Sequence, residues 1–357
     1  MVVPISFNTH WCQATLMPTR SFCVIFPDYD QIFLLIDLYQ RAKLICLLEL
    51  WIIHGGHSAP LPWPKDDPMT TKSPHADGFR RFTLTPYNPF IGAVVDGIDL
   101  RETTGEEVRA DLRRALAEYG VLFFRGQTLS PERQVDVARI FGDPDKAKAY
   151  FKRHDSNRLV ELIEFKPGQP GYGTDQWHAD ITFSANPPTG TVLHARDVPS
   201  VGGDTAWASG TYVYDRLDPA LRAYLETLEA VHSIEHSGWP EWFRTQSNGE
   251  ELYRQARAEH LPVVHKVVQT HPVTGRKLVY VSPNFTLRIR GLSRQQSDAL
   301  LTFLFGLFEK PEAQVRWRWR NGDVAIWDNR ATVHYAVTDY TEYRLLHRVT
   351  FGEDTAF

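Results

Sequence analysis

The pattern of apolar and polar positions changes along the chain. Early segments mix the periods of helix and strand. Arg81-Phe82-Thr83-Leu84-Thr85 alternates as a strand, and residues 90–95 form a second apolar run. Thr104 and Glu107 have the spacing of a capping box, and Val108, Leu112, Ala115, Leu116 and Tyr119 then recur as one helical face. Gly120 predicts the end of that helix, and Val121-Leu122-Phe123-Phe124 a short buried strand. Ser130-Pro131 predicts an N-cap with proline at the first helical position, opening a helix that runs towards Phe141-Gly142.

Beyond residue 190 strands dominate. Thr191-Val192-Leu193-His194-Ala195 and Thr205-Ala206-Trp207 flank a turn at Gly202-Gly203-Asp204. Asp218-Pro219 opens a helix marked by Leu221, Leu225 and Leu228, and residues 263–269 and 278–281 read as strands around Thr274-Gly275. Ser293 caps an apolar helix through Leu300, Leu301, Leu304 and Phe308. The sharpest local signal is Val315-Arg316-Trp317-Arg318-Trp319-Arg320, then Asn321-Gly322, then Asp323-Val324-Ala325-Ile326-Trp327. Strict alternation around Asn-Gly predicts a hairpin, with its arginine face solvated or ion-paired. Many short strands with helices between them predict a mainly β fold with flanking helices. The architecture that fits is a jelly-roll sandwich, or double-stranded β-helix, with room for a metal near one open end. Residues 69–357 contain no repeat or long linker and are expected to form a single domain.

The first 68 residues differ. All three cysteines, Cys12, Cys23 and Cys46, lie there, and of the three methionines none follows Met69. This break suggests that residues 1–68 are an extension of doubtful origin, expected to lie outside the fold, with an accessory helix or membrane association as the alternatives. Its apolar stretch, residues 31–53, is interrupted by Asp37, Arg41, Lys43 and Glu49. That falls short of the roughly 18 apolar residues of a membrane span and starts too late for a secretory signal. The absence of cysteine after Cys46 excludes a disulfide framework for the main domain and fits a reducing, cytoplasmic setting. A formal net charge of −4 argues against nucleic-acid binding through overall basicity.

Candidate chemistry centres on Trp177-His178-Ala179-Asp180. On an extended segment, residues two apart project to one side, so His178 and Asp180 can share a metal ion. With 14 histidines, about one His-x-Asp triplet is expected by chance. His75-Ala76-Asp77 is such a decoy, in a polar stretch with no strand pattern. A third ligand is expected downstream, and His334 is the best candidate. Two histidines and one carboxylate on one face of an ion form the facial triad of non-heme iron(II) oxygenases, which leaves three positions open.

Several blocks in order then point to a family. They are Trp177-His178-Ala179-Asp180-Ile181-Thr182-Phe183, Asn186-Pro187-Pro188, Gly202-Gly203-Asp204-Thr205, His271-Pro272-Val273-Thr274-Gly275, and Trp327-Asp328-Asn329-Arg330-Ala331-Thr332 through His334-Tyr335-Ala336, with Arg344 and His347-Arg348 beyond. Over residues 81–354 the chain resembles the taurine dioxygenase family of iron(II)/2-oxoglutarate oxygenases. The resemblance implies Fe(2+) on His178, Asp180 and His334, with 2-oxoglutarate and O2 as cosubstrates. It implies Arg344 as the anchor of the distal 2-oxoglutarate carboxylate, with Thr205 as its hydroxyl partner. Arg348 is expected to hold an anionic substrate head, with Phe183 and Phe285 packing on the substrate chain. The implied reaction hydroxylates a small anionic compound, a sulfonate or sulfate ester, and releases succinate and CO2. A carboxylate such as an aryloxyalkanoate is the alternative substrate, and a non-catalytic jelly-roll binding protein the alternative class. Taurine itself is disfavoured: the family's sulfonate-binding histidine is missing after Gly142, where the chain reads Asp143-Pro144-Asp145-Lys146-Ala147-Lys148-Ala149-Tyr150 and the next histidine is His154. Tyr150, Lys146 or Lys148 is the expected replacement. The partner is a small molecule, with no nucleic acid or membrane; homo-oligomerisation stays open.

Overall fold

Strand Val121–Phe124 explains how the pattern becomes architecture. Its odd residues, Val121 and Phe123, belong to one buried cluster, and its even residues, Leu122 and Phe124, to another. A strand covered on both faces has no polar side, hence its unbroken apolar run. The computed structural model describes residues 5–7, 10–12, 78–102, 105–145, 151–167 and 175–352. The chain divides into two units, Met1–Met69 and Thr70–Phe357. In the first, Ile5–Phe7 pairs antiparallel with His10–Cys12. The apolar stretch at 31–53, the decoy His75-Ala76-Asp77, Thr104, Lys146, Lys148 and Tyr150 lie outside the described residues.

The second unit is a jelly roll. Among the described residues its larger sheet has eight strands. Seven run in the order Thr83–Pro86, Ala93–Asp96, Val121–Phe124, Val324–Asp328, Gly190–Asp197, Arg344–Gly352 and Asp143–Pro144, and Glu161–Phe165 also pairs with Arg344–Gly352. Neighbours are antiparallel, except that Ala93–Asp96 and Val121–Phe124 are parallel. The smaller sheet orders Gln314–Trp317, Thr205–Ser209 and Thr332–Ala336. Between the sheets lies a tryptophan-rich core with Phe123, Leu193, Trp207, Trp317, Trp319, Trp327 and Leu346. Each large apolar side chain buried there contributes roughly 1.5–3 kcal/mol. Helix Glu106–Tyr119 packs Leu112, Ala115, Leu116 and Tyr119 on the outer side of the larger sheet. Helix Arg294–Phe308 covers the smaller sheet, where Leu301, Leu304 and Phe308 meet Ala206, Ala208 and Val333. No helix among the described residues is long and apolar enough to cross a membrane.

The local punctuation is largely as expected. Ser130 accepts from Arg133 N and caps Pro131–Ala138, and Ser293 forms a capping box with Gln296. Gly120 closes its helix at φ 72° with its N–H on Leu116 O. Two readings need correction. Helix Glu106–Tyr119 is entered from Gly105 without a side-chain cap, and Glu107 pairs instead with Arg81. The segment around Asn321-Gly322 is not a hairpin. Gln314–Trp317 pairs with Thr205–Ser209 in the smaller sheet, whereas Val324–Asp328 pairs with Val121–Phe124 and Gly190–Asp197 in the larger. The turn is a corner between sheets. Gly322, at φ 84°, donates to Ala195 O and accepts from Gln127 N, and Asn321 Oδ1 accepts from Val198 N. Both flanking strands turn their tryptophans into the same inter-sheet core, so mutual pairing loses to pairing across the sandwich. On the arginine face, Arg316 is ion-paired, with Nε 2.7 Å from Asp204 and Nη2 3.2 Å from Asp339, while Arg318 donates to Ser200 O.

Candidate metal centre

Strand alternation aims His334 inward. Its neighbour Val333 joins the outer cluster under helix Arg294–Phe308, so His334 faces the inter-sheet side, with its ring 4.9 Å from that of Trp327. His178 reaches it as an added rung on the edge of the smaller sheet. His178 N donates to His334 O at 2.9 Å, and His334 N to His178 O at 2.6 Å. The two imidazole centroids are 4.1 Å apart.

Asp180 is fixed from the far side of the chain. Its N–H donates to Asn329 Oδ1 at 2.6 Å, while Asn329 Nδ2 donates to Asp180 O at 2.9 Å and to Pro188 O at 3.0 Å. The next residue, Ile181, sits at φ 58°. A β-branched residue there costs about 1–3 kcal/mol, and persists only where the surroundings hold it. Asn329 is that clamp. Its own position follows from the corner Asp328–Thr332. Arg330 forks onto buried Asp328 at 2.9 and 2.6 Å, and His271 Nε2 meets Asp328 Oδ2 at 2.9 Å. Burial alone would raise the Asp328 carboxyl; His271 and Arg330 outweigh it and hold it well below the usual carboxylate range.

His178, Asp180 and His334 thus offer one ligand atom each within 4.8 Å of one another, all buried. Their protonation suits a cation. Burial pushes His334 down to about 3, helped by His178, and burial lowers His178 despite Asp180. Burial would raise Asp180, but Arg348, His334 and His178 together bring it below its ordinary value. At neutral pH the set is two uncharged imidazoles and one carboxylate. His178 Nδ1 donates to Gln176 O at 2.7 Å, which leaves Nε2 to ligate. Thr191 Oγ1 donates to Asp180 Oδ2 at 3.1 Å, so Oδ1, 3.7 Å from His334 Nε2, is the oxygen turned to the centre. This donor set fits Fe(2+) bound on one face.

A cavity reaches two of the three candidate ligands, His178 and Asp180, and is otherwise lined by Phe151, Ile163, Ile181, Trp239, Phe285 and Arg348. Phe285 therefore forms wall. Phe183 does not: it is fully buried behind, with its ring 5.0 Å from Phe285 and 5.5 Å from Trp239. His154, the first histidine after Gly142, lies against His347 at 5.2 Å and does not line the cavity. Trp239, Phe151 and Ile163 were missed from sequence, because aromatic and aliphatic residues are core by default. Asn329 lies within the Trp327–Thr332 segment, but nothing local in the sequence reveals its bond to Asp180.

Arg344 is 5% exposed, and its Nε has no hydrogen-bond partner. Burial lowers its pKa, partly offset by Tyr340 and then Asp204. It packs on Gly203, where a Cβ would lie 3.4 Å from Arg344 Nε, so the Gly-Gly-Asp-Thr turn and Arg344 are neighbours. Thr205 is buried two residues on, and its Oγ1 accepts from Trp319 Nε1 at 2.9 Å, which leaves its own proton to donate elsewhere.

A jelly roll with a buried two-histidine, one-carboxylate face and an adjoining cavity defines a metal-dependent oxygenase architecture. Comparison with known proteins narrows this. The family described as "Taurine catabolism dioxygenase TauD, TfdA family" matches residues 81–350, and the chain belongs to it. An alkylsulfatase from Acinetobacter baylyi is 36% identical over 269 residues, 74% of this chain and 83% of that protein. An alpha-ketoglutarate-dependent sulfate ester dioxygenase from Pseudomonas putida is 34% identical over 285 residues, 78% of this chain and 91% of that protein. A crystal structure of a taurine dioxygenase from Burkholderia xenovorans superposes with a TM-score of 0.66 at 32% identity, covering 77% of this chain and 90% of that one. The protein is a 2-oxoglutarate-dependent dioxygenase using Fe(2+) and O2, not a binding module.

Proposed function

We propose that the enzyme hydroxylates a small monoanionic organosulfur compound with an apolar chain, a sulfate ester before a sulfonate. The carrying observation is the cavity: one guanidinium, Arg348, among otherwise aromatic and aliphatic walls beside the triad. An anionic head pairs with the arginine, and a hydrocarbon chain packs on Phe151, Trp239 and Phe285. Taurine fits less well. Among the described residues no acidic side chain but Asp180 lines the cavity to meet an ammonium group. The relatives named alkylsulfatase and sulfate ester dioxygenase point the same way.

In this reading His178 Nε2, Asp180 Oδ1 and His334 hold the iron, and Arg344 with the Thr205 hydroxyl holds the distal carboxylate of 2-oxoglutarate. When bound, the metal supplies oxygen activation coupled to decarboxylation of 2-oxoglutarate to succinate and CO2. The chain supplies placement. Arg348 fixes the head, the aromatic walls fix the chain and exclude water, and together they decide which C–H faces the metal. A hydroxyl placed on the carbon that bears the ester oxygen makes an adduct that expels sulfate and leaves an aldehyde. Cysteine confined to the first 46 residues supports a cytoplasmic setting. The test is succinate formation from 2-oxoglutarate with a panel of alkyl sulfates, sulfonates and aryloxyalkanoates. Sulfate release in step with succinate is expected; turnover of carboxylates alone would overturn the organosulfur reading.

A further inference from the structure

Arg348 is not free to turn. Its strand, Arg344–Gly352, sets it directly across from Glu161 on Glu161–Phe165. Nε and Nη2 of Arg348 each lie 2.7 Å from Glu161 Oε2, and both side chains are buried. The ring of Phe151 lies 4.4 Å from the guanidinium carbon. Nη1 on the opposite side is 3.5 Å from Asp180 Oδ1, the oxygen turned to the metal centre. The guanidinium is gripped along one edge and backed by a ring. Its remaining corner sits between cavity and candidate ligand.

We infer that Glu161 is a positioning residue with two tasks: it holds Arg348 in the orientation that receives the substrate head, and it keeps that arginine from closing onto Asp180. The inference rests on Arg348 being the anion site. Without Glu161, the nearest carboxylate to the guanidinium among the described residues is Asp180, and a fork onto Asp180 would compete with the metal for Oδ1. Glu161 also neutralises one charge beside the cavity. The site therefore suits a monoanion such as a sulfate ester better than a dianion such as a phosphate monoester at pH 8.

The experiment uses the full-length iron enzyme with hexyl sulfate, in four forms: E161Q, E161A, R348A and E161A/R348A. E161A is expected to raise the KM for hexyl sulfate about 10–100-fold with kcat changed much less, as for residues that orient a ligating group. It is also expected to weaken Fe(2+) binding about tenfold in anaerobic titration, a readout independent of turnover. E161Q, which keeps an acceptor, should do less of both, and should narrow the preference for hexyl sulfate over hexyl phosphate as competing ligands. In the R348A background, adding E161A should change neither KM nor metal affinity further, because the two residues act as one unit. If R348A raises KM but E161A and E161Q do not, or if the double variant is simply additive, the positioning role is wrong. If R348A itself leaves KM unchanged, the anion-site reading falls and this inference with it.

Discussion

Arg344 and Arg348 lie four residues apart on one strand, 5% and 8% exposed, yet they are unlike. Arg348 has Glu161 along one edge and Asp180 near the other. Arg344 forms no ion pair with an acid among the described residues, its Nε has no partner, and the acid that steadies it from a distance, Asp204, is engaged by Arg316. A buried cation without a counter-ion costs several kcal/mol, so a fold that keeps one has a reason to. A ligand carboxylate that completes Arg344 regains that cost on binding, whereas Arg348 is already compensated and offers direction more than charge. One strand thus presents two arginines for two anions, one by deficit and one by aim.

The contrast holds only if both serve one metal centre. Asp180→Ala is therefore the hardest test: succinate formation should fall by about 1,000-fold or more, with Fe(2+) binding lost. Near-wild-type turnover would detach the arginines from the chemistry altogether. Next, Arg344→Ala should raise the KM for 2-oxoglutarate about 150–5,000-fold, the size expected when one partner of a buried ion pair is removed, while the KM for substrate stays close to wild type. Stability in urea separates the two arginines without any ligand. Arg348→Met leaves Glu161 buried and uncompensated and should cost about 3–5 kcal/mol. Arg344→Met removes an unpaired cation and should be neutral or stabilising in the 2-oxoglutarate-free protein. Equal losses would mean that the two arginines do not differ in compensation.

The smallest effect concerns His347, on the same strand, and its neighbour across the sheet, His194. Burial pushes His347 down to about 3 and His194 to about 4. Both are neutral in the folded state, whereas the unfolded chain takes up protons near the ordinary 6.5. Their contribution is fully present above pH 6.5 and declines as pH falls towards 4, by roughly 1–3 kcal/mol. His194→Gln should flatten that acid limb in denaturation measured from pH 7 to pH 4.5; an unchanged limb would assign the acid sensitivity elsewhere.

How much was readable beforehand follows the range of each interaction. Capping at Ser130 and Ser293 and the two-sided burial of Val121–Phe124 are local, and their residues declare them. The triad was legible because histidine and aspartate are scarce enough that ordered blocks carry weight. The Asn321-Gly322 corner was misread because a turn dictates a reversal but not which strand receives the chain afterwards. The cavity wall escaped for a related reason. Trp239 and Phe151 look like any core aromatic until a distant strand leaves one face uncovered. Glu161 reads as a strand residue like any other; only the register against Arg348 gives it meaning.

The bond between Asp180 and Asn329 joins residues 149 apart. A nascent chain leaving the ribosome cannot hold Asp180 in its final pose until Asn329 has followed, nor offer the third donor until His334 has emerged. The full donor set therefore waits on the Asp328–Thr332 corner and the strand that follows it. A polypeptide cut short before that corner would carry two of the three donors and no clamp for Asp180.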